Sequence, residues 1–174
     1  MGKRSDFERK PNDYYPTPPT ALVPLLPHLH DRTKFVEPCA GDGRLIDYLE
    51  LFDHTCTFAC DMEPRRADIV QMDAFDLSEK DCAGANYIIT NPPWSRDILH
   101  PLILRFVSLR PTWLLFDADW LYTKQAKAYM EYCVAVVAVG RVKWIEGSTN
   151  TGKDNCAWYL FSTGKQNETR FYAR

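Results

Sequence analysis

Residues 34 to 52, KFVEPCAGDGRLIDYLELF, show a pattern of strand, turn and helix. The apolar KFVEP predicts a buried strand, and glycines 41 and 43 predict a tight turn whose backbone can approach a ligand closely. Apolar residues at 45, 46, 49 and 52 then recur with the spacing of one helix face. A single Gly-x-Gly falls short of the dinucleotide-binding fingerprint, so its meaning depends on the surrounding sequence.

The alternation of strands and helices continues along the chain. Helices are predicted at 96–109 and near 123–132, and a short one, limited by Pro24 and Pro27, begins after an N-cap at Thr17. Further strands are predicted at TCTFACD (55–61), DIVQMD (68–73), ANYIITN (85–91), TWLLFDAD (112–119), VAVVAVGRVKWI (134–145) and CAWYLFST (156–163). The last two leave no room for a helix and predict an antiparallel hairpin. The pattern indicates one α/β domain, with a mostly parallel sheet, helices on both faces, and ligands at the carboxyl ends of the strands.

Length and composition favour a single cytoplasmic domain. The chain has 174 residues and a formal net charge of −2, with no apolar run of membrane-spanning length and no hydrophobic signal core. Residues 1–12 are polar and are expected to form a flexible arm, which contains the basic residues Lys3, Arg4, Arg9 and Lys10. Residues 13–174 are expected to form the folded domain. This net charge argues against a surface that is strongly basic throughout, but it is compatible with a local basic patch that binds nucleic acid.

The six cysteines do not predict a metal site. They form no Cys-x-x-Cys pair, and most lie in apolar runs where buried thiols are common. No metal is therefore expected.

Polar and aromatic residues follow three successive strands. Asp61 ends the second strand, where a carboxylate can accept hydrogen bonds from ribose hydroxyls. Asp73 ends the third strand, where it can bind the amino group of an adenine ring, and Phe75 lies just after it, where it can cover the face of that ring. Each is ordinary alone, but together with the glycine turn they predict a nucleoside pocket.

The fourth strand ends in NPPW, residues 91–94, and TPP occurs upstream at residues 17–19. In this order the motifs resemble the class I methyltransferases that use S-adenosylmethionine (SAM), in particular the compact, gamma-ordered, amino-methylating DNA branch of bacteria and phages. The resemblance runs from about Tyr15 to Phe161. It implies a Rossmann-like sheet of seven strands with an antiparallel last strand. It also implies SAM bound by Tyr15, Thr17, Pro18, Glu37, Pro38, Gly41, Gly43, Asp61, Met62, Asp73, Ala74, Phe75 and Asn91.

The resemblance gives the NPPW motif a catalytic role. The side-chain oxygen of Asn91 and the carbonyl of Pro92 would accept both N–H bonds of an exocyclic amine and favour a pyramidal, nucleophilic nitrogen. Pro92 and Pro93 would stiffen the backbone so that these acceptors need no reorganisation. Trp94, which the sequence places in an exposed loop, would stack on a base rotated out of its helix.

The substrate stays open at this stage. Adenine N6 in DNA is the leading interpretation, and RNA adenine N6, cytosine N4, protein glutamine methylation and a non-catalytic SAM-fold module are the alternatives. Related DNA enzymes usually carry a target-recognition domain, for which the chain leaves no room. Specificity is expected from the arm, from the loops after the fourth and fifth strands, from residues 146–155, or from a partner or second copy.

Two further motifs predict nothing catalytic. GSTNTGKD (147–154) has Asp154 where a P-loop needs Ser or Thr, and Cys39 lies in the cofactor turn and not beside a base. Asp117 and Asp119 in DADW lie at the end of the fifth strand. The sequence is equally compatible with a position facing the active-site cleft and with a role in capping a turn at the surface.

Overall fold

A computed structural model describes residues 15–144, 152–164 and 168–174. The predicted basic arm and residues 146–151 of the predicted specificity loop lie outside the described residues. The strands are β1 (Lys34–Glu37), β2 (Thr55–Asp61), β3 (Val70–Gln71), β4 (Tyr87–Thr90), β5 (Thr112–Asp117), β6 (Cys133–Arg141), β7 (Asn155–Phe161) and β8 (Arg170–Tyr172). The α-helices are α1 (Pro19–Leu22), α2 (Arg44–Glu50), α3 (Arg96–Val107) and α4 (Lys127–Met130).

The described strands form one sheet in the order β3-β2-β1-β4-β5-β7-β6-β8. All neighbouring pairs are parallel except those of β7, which runs antiparallel to both β5 and β6. The predicted α/β class, the mostly parallel sheet and the antiparallel hairpin of β6 and β7 are thus confirmed. Because β1, β2 and β4 are parallel, their carboxyl ends meet at one edge of the sheet, which is where the predicted pocket residues lie.

Apolar side chains cover both faces of the sheet. On one face, Leu102 and Phe106 of α3 pack with Val36 of β1. On the other, α1 and α2 pack with the neighbouring Phe35. Adjacent strand residues enter opposite cores because side chains alternate across a strand. Full burial of one such side chain stabilises the fold by about 1.5–3 kcal/mol.

Three details of the predicted fold were wrong. The sheet has eight strands and not seven, because the three-residue β8 pairs with the edge of β6 and is too short to show a period. Residues 124–130 form a 3₁₀ turn followed by the four-residue α4, where one longer helix was predicted. Thr17 does not cap α1. The N-cap residue of this helix is Pro18, and no side chain accepts a hydrogen bond from the first turn of the helix.

Candidate active site

The glycine turn joins β1 to α2 in a left-handed conformation. Gly41 and Gly43 have φ of 55° and 77°, a region that other residues enter only with strain. The N–H of Gly43 donates to the carbonyl of Ala40 over 2.7 Å, which closes the turn. A Cβ at Gly43 would also overlap the guanidinium of Arg66, so this flexible side chain would have to move. Both glycines are therefore required by the local backbone.

Asp61 ties the end of β2 to this turn. Its Oδ2 accepts a hydrogen bond from the N–H of Gly41 over 2.8 Å, and its Oδ1 accepts one from the N–H of Glu63 over 2.8 Å. A carboxylate can accept about four hydrogen bonds, so these two leave acceptor capacity toward the cavity. Asp61 thus shapes the turn in addition to the ligand-binding role predicted for it.

Met62 and Phe75 present apolar surface to the cavity. The two residues are 63% and 39% exposed, and both line the cavity. Phe75 is positioned by Asp73, whose carboxylate accepts a hydrogen bond from the Phe75 N–H over 2.9 Å and caps the turn Ala74–Asp76. Two exposed apolar groups beside carboxylates suit a planar ring with a polar edge.

Glu37 is a buried acid on the cavity wall. Only 2% of its surface is exposed, and its Oε2 has no hydrogen-bond partner among the described residues. Burial, followed by the charges of Asp61 and Asp42, raises the pKa of this carboxyl well above its ordinary range. A buried acceptor without a partner is costly, so a ligand that brings a donor or a positive charge would be stabilised here.

Cys39 lies on the same wall without the properties of a nucleophile. Burial and the nearby Asp61 raise the pKa of its thiol well above the ordinary range. A reactive cysteine needs a lowered pKa and a cationic neighbour. Cys39 lies beside the glycine turn, and its environment does not favour a nucleophilic role.

The amide of Asn91, just after β4, is held on both sides. Its Nδ2 donates to the carbonyl oxygen of Tyr15 over 3.3 Å and to Oγ1 of Thr17 over 3.2 Å. Its Oδ1 accepts a hydrogen bond from Nε1 of Trp94 over 3.1 Å. The motifs TPP and NPPW, separated by more than seventy positions, therefore meet at one amide.

Trp94 does not project into solvent, contrary to the prediction from the sequence. Its ring is half-buried against both cores, and Nε1 points inward to Asn91 and to the carbonyl oxygen of Leu115, 3.2 Å away. The indole N–H needs an acceptor when it is buried, and the end of β5 supplies one. Pro92 is buried as well, so the motif is packed into the domain.

Trp144, which the sequence did not single out, completes an aromatic cluster beside Asn91. Its ring meets Trp94 edge-on, with centroids 5.6 Å apart, and Tyr15 with centroids 6.3 Å apart. The only sequence signal for it was its position at the end of the β6 segment. Asp117, by contrast, caps the turn after β5, where its Oδ1 accepts from the N–H of Asp119 over 2.9 Å.

A cavity of about 560 Å³ lies at the carboxyl edge of the sheet, between the glycine turn, the ends of β2 and β4, and the segment at residues 15–17. This volume lies in the range of small-molecule sites. The predicted residues on its wall are Tyr15, Thr17, Glu37, Pro38, Gly41, Asp61, Met62, Asp73, Ala74, Phe75, Asn91 and Pro93. Pro18, Gly43, Pro92 and Trp94 are not on the wall but lie in the segments that form it. The cavity is also lined by residues that were not predicted from the sequence, among them Arg44, Arg65, Ile98 and Leu102.

The described residues form neither a candidate metal site nor a candidate membrane-spanning helix. Among them, no group of three or more His, Cys, Asp or Glu side chains is arranged to hold a metal ion. Nor does the described part of the chain contain a helix long and apolar enough to span a membrane.

No protein-family model matches the sequence, and no curated protein matches it. Solved structures do resemble it. A type I restriction-modification system methyltransferase subunit from Streptococcus thermophilus has a TM-score of 0.63 at 12% identity, over 91% of this chain and 47% of that one. The 23S rRNA methyltransferase ErmE has a TM-score of 0.55 at 10% identity, over 84% and 68% of the two chains.

A TehB-like SAM-dependent methyltransferase from Corynebacterium glutamicum has a TM-score of 0.51 at 14% identity, over 84% of this chain and 88% of that one. The fold is that of the class I SAM-dependent methyltransferases. The chain spans about half the length of the S. thermophilus subunit, and at these identities the likeness concerns the fold alone.

Proposed function

We propose that this protein transfers a methyl group from SAM to the exocyclic N6 amine of adenine in DNA. One observation carries the proposal: Asn91 lies on the wall of the same cavity as the glycine turn and Asp61. An amine held by Asn91 would therefore lie beside a cofactor held by the turn. Proximity of this kind is a large part of any group-transfer catalysis.

The cavity residues suit SAM. The acceptors left on Asp61 would bind the ribose hydroxyls, and the apolar surfaces of Met62 and Phe75 would enclose the adenine ring. Glu37 would lie near a positively charged part of the cofactor, which would compensate its buried oxygen without a partner. SAM supplies an electrophilic methyl group on a sulfonium.

The chain's own contribution to the chemistry would be to hold the target amine. Oδ1 of Asn91 already accepts one hydrogen bond, from Trp94, and an amide oxygen has a second lone pair for the amine. The carbonyl of Pro92 would accept the other N–H. Because Asn91 is held by neighbours on both sides, these acceptors would reorganise little during the reaction.

The class of nucleic acid is inferred from the sequence motifs. The NPPW and TPP motifs resemble those of amino-methylating DNA enzymes, which favours DNA. Adenine N6 in RNA is the second candidate, because the fold is also similar to that of a 23S rRNA methyltransferase. Target recognition would come from a partner protein or from a second copy of this chain.

The experiment that tests the function uses SAM labelled in its methyl group. The protein is incubated with duplex DNA, single-stranded DNA, RNA and a protein pool, and the products are digested to nucleosides or amino acids. We expect label in N6-methyladenine from DNA. Label confined to RNA would establish the second candidate, and no transfer to any pool would contradict the proposed function.

A further inference from the structure

The orientation of the Asn91 amide follows from the chemistry of its neighbours. The carbonyl of Tyr15 can only accept a hydrogen bond, so the group facing it must be the NH₂. The indole N–H of Trp94 can only donate, so the group facing it must be the oxygen. A rotated amide would place oxygen against oxygen and N–H against N–H. The two ends of this side chain are therefore not interchangeable.

Thr17 supplies the second acceptor for the NH₂ group and is itself rigidly placed. Only 6% of its surface is exposed, and its Oγ1 lies 3.2 Å from Nδ2 of Asn91. The flanking Pro16 and Pro18 restrict the backbone on either side. The following α1 is fastened to the sheet, since Nε1 of Trp158 donates to the carbonyl of Ala21 over 2.8 Å. The hydroxyl is thus held against Asn91 from outside the NPPW motif.

We propose that Thr17 is a positioning residue, whose hydroxyl, with the carbonyl of Tyr15, keeps the Asn91 oxygen turned away from the N-terminal segment and available to the target amine. This inference rests on the proposed function for its catalytic consequence, but not for the orientation itself. It also explains why asparagine suits this chain. An aspartate at position 91 would place a carboxylate oxygen where Nδ2 now lies, 3.3 Å from the Tyr15 carbonyl oxygen.

The test compares Thr17→Val, which keeps the shape and removes the hydroxyl, with Thr17→Ser, which keeps the hydroxyl. The first measurement is the ¹H–¹⁵N signal of the Asn91 side-chain amide in the cofactor-free protein, assigned with Asn91→Ala. Loss of one hydrogen-bond acceptor should shift this signal in Thr17→Val. In Thr17→Ser the signal should stay near its wild-type position. This readout needs no activity.

The second measurement is single-turnover methylation at saturating SAM, together with SAM affinity. Because one hydrogen bond contributes about 1 kcal/mol, Thr17→Val should lower the rate by about five- to tenfold, and Thr17→Ser should restore it. Thr17 lies on the cavity wall, so SAM affinity is measured for each variant, and saturation with SAM keeps any change in cofactor binding out of the compared rates. In an Asn91→Ala background the additional effect of Thr17→Val should vanish, since there is no amide left to orient.

An unmoved Asn91 signal in Thr17→Val would overturn the inference, and so would a rate loss that Thr17→Ser fails to restore. If Thr17→Val does not fold, Thr17→Ala serves as the second variant without the hydroxyl. If the wild-type protein transfers no methyl group, the proposed function fails while the amide signal still decides the orientation. If the wild type is active and the signal and rate of Thr17→Val are unchanged, the positioning role alone fails.

Discussion

The carboxylate of Asp61 accepts a hydrogen bond from the backbone N–H of Gly41 over 2.8 Å, so the last residue of β2 holds the turn that follows β1. A second backbone N–H, that of Glu63, donates to its other oxygen. Asp61 therefore organises two adjoining loops of the cavity before any ligand is present. Its loss should affect both the shape of the cavity and the ligand contacts predicted for it.

Asp61→Ala should weaken SAM binding by at least about tenfold, because each lost hydrogen bond costs about 1 kcal/mol and 1.4 kcal/mol is a factor of ten. Titration calorimetry with SAM measures this change. Glu131→Ala, which removes an exposed acid after α4, is the control for lost negative charge and should bind SAM normally. Unchanged affinity in Asp61→Ala would mean that the cofactor lies elsewhere.

The buried Glu37 should make the free energy of unfolding depend on pH. Because its pKa in the folded protein lies above the ordinary value of 4.5, the folded state holds this proton more tightly than the unfolded chain. The free energy of unfolding of the cofactor-free protein should therefore fall as pH rises above about 4.5 and level off above the raised pKa. Urea unfolding across this range checks the effect, and Glu37→Gln should remove the Glu37 share of the fall.

The ionisation of Glu37 should also change the affinity for SAM. An ionised Glu37 would attract the positively charged SAM, so SAM affinity should increase as pH rises through the raised pKa. S-adenosylhomocysteine lacks the sulfonium charge and should show a weaker dependence. A SAM profile that Glu37→Gln leaves unaltered would assign the pH dependence to another group.

Asn91→Ala should lower the methyl-transfer rate by about a hundred- to a thousandfold, the usual effect of removing one preorganised hydrogen-bonding group. Substrate binding should change less, because the acceptor matters most as the amine becomes pyramidal. Single-turnover kinetics separate the two. Asn86→Ala is the matched control, since Oδ1 of Asn86 accepts from the N–H of Lys34 at the opposite end of β1.

Asn91→Asp should retain partial activity, because it keeps an acceptor oxygen at this position. The carbonyl of Tyr15 opposite the new carboxylate should hold that activity below wild type. If Asn91→Ala transfers the methyl group at the wild-type rate, NPPW is only a structural turn.

Trp94 has two separable properties, its ring and its N–H. Trp94→Ala should weaken capture of the target base by about 1–3 kcal/mol if the ring stacks on it. Trp94→Phe keeps an aromatic ring but loses the donor to Asn91 and Leu115, so base capture should persist while turnover falls. Binding to DNA with a flexible or mismatched target measures the first effect. Equal base capture by the wild type and Trp94→Ala would contradict stacking.

The order of elements and most of the cavity wall could be predicted from the sequence. Residues 34–52 predicted β1, the turn and α2, because strand burial, left-handed glycines and helix periodicity are local properties. Asp61, Asp73 and Phe75 were predicted together because the carboxyl ends of parallel strands meet at one edge. Such rules need only positions along the chain.

Only the tertiary structure decided which way the side chains at that edge point. The sequence placed Trp94 in solvent and Thr17 at a helix cap, yet the first turns inward to Leu115 and the second holds Asn91. Both orientations depend on acceptors and donors contributed by segments distant in sequence, brought together by the packing of α1 and β5 around β4. Buried polar groups take whichever partner the fold brings within reach, and a local pattern carries no information about that partner.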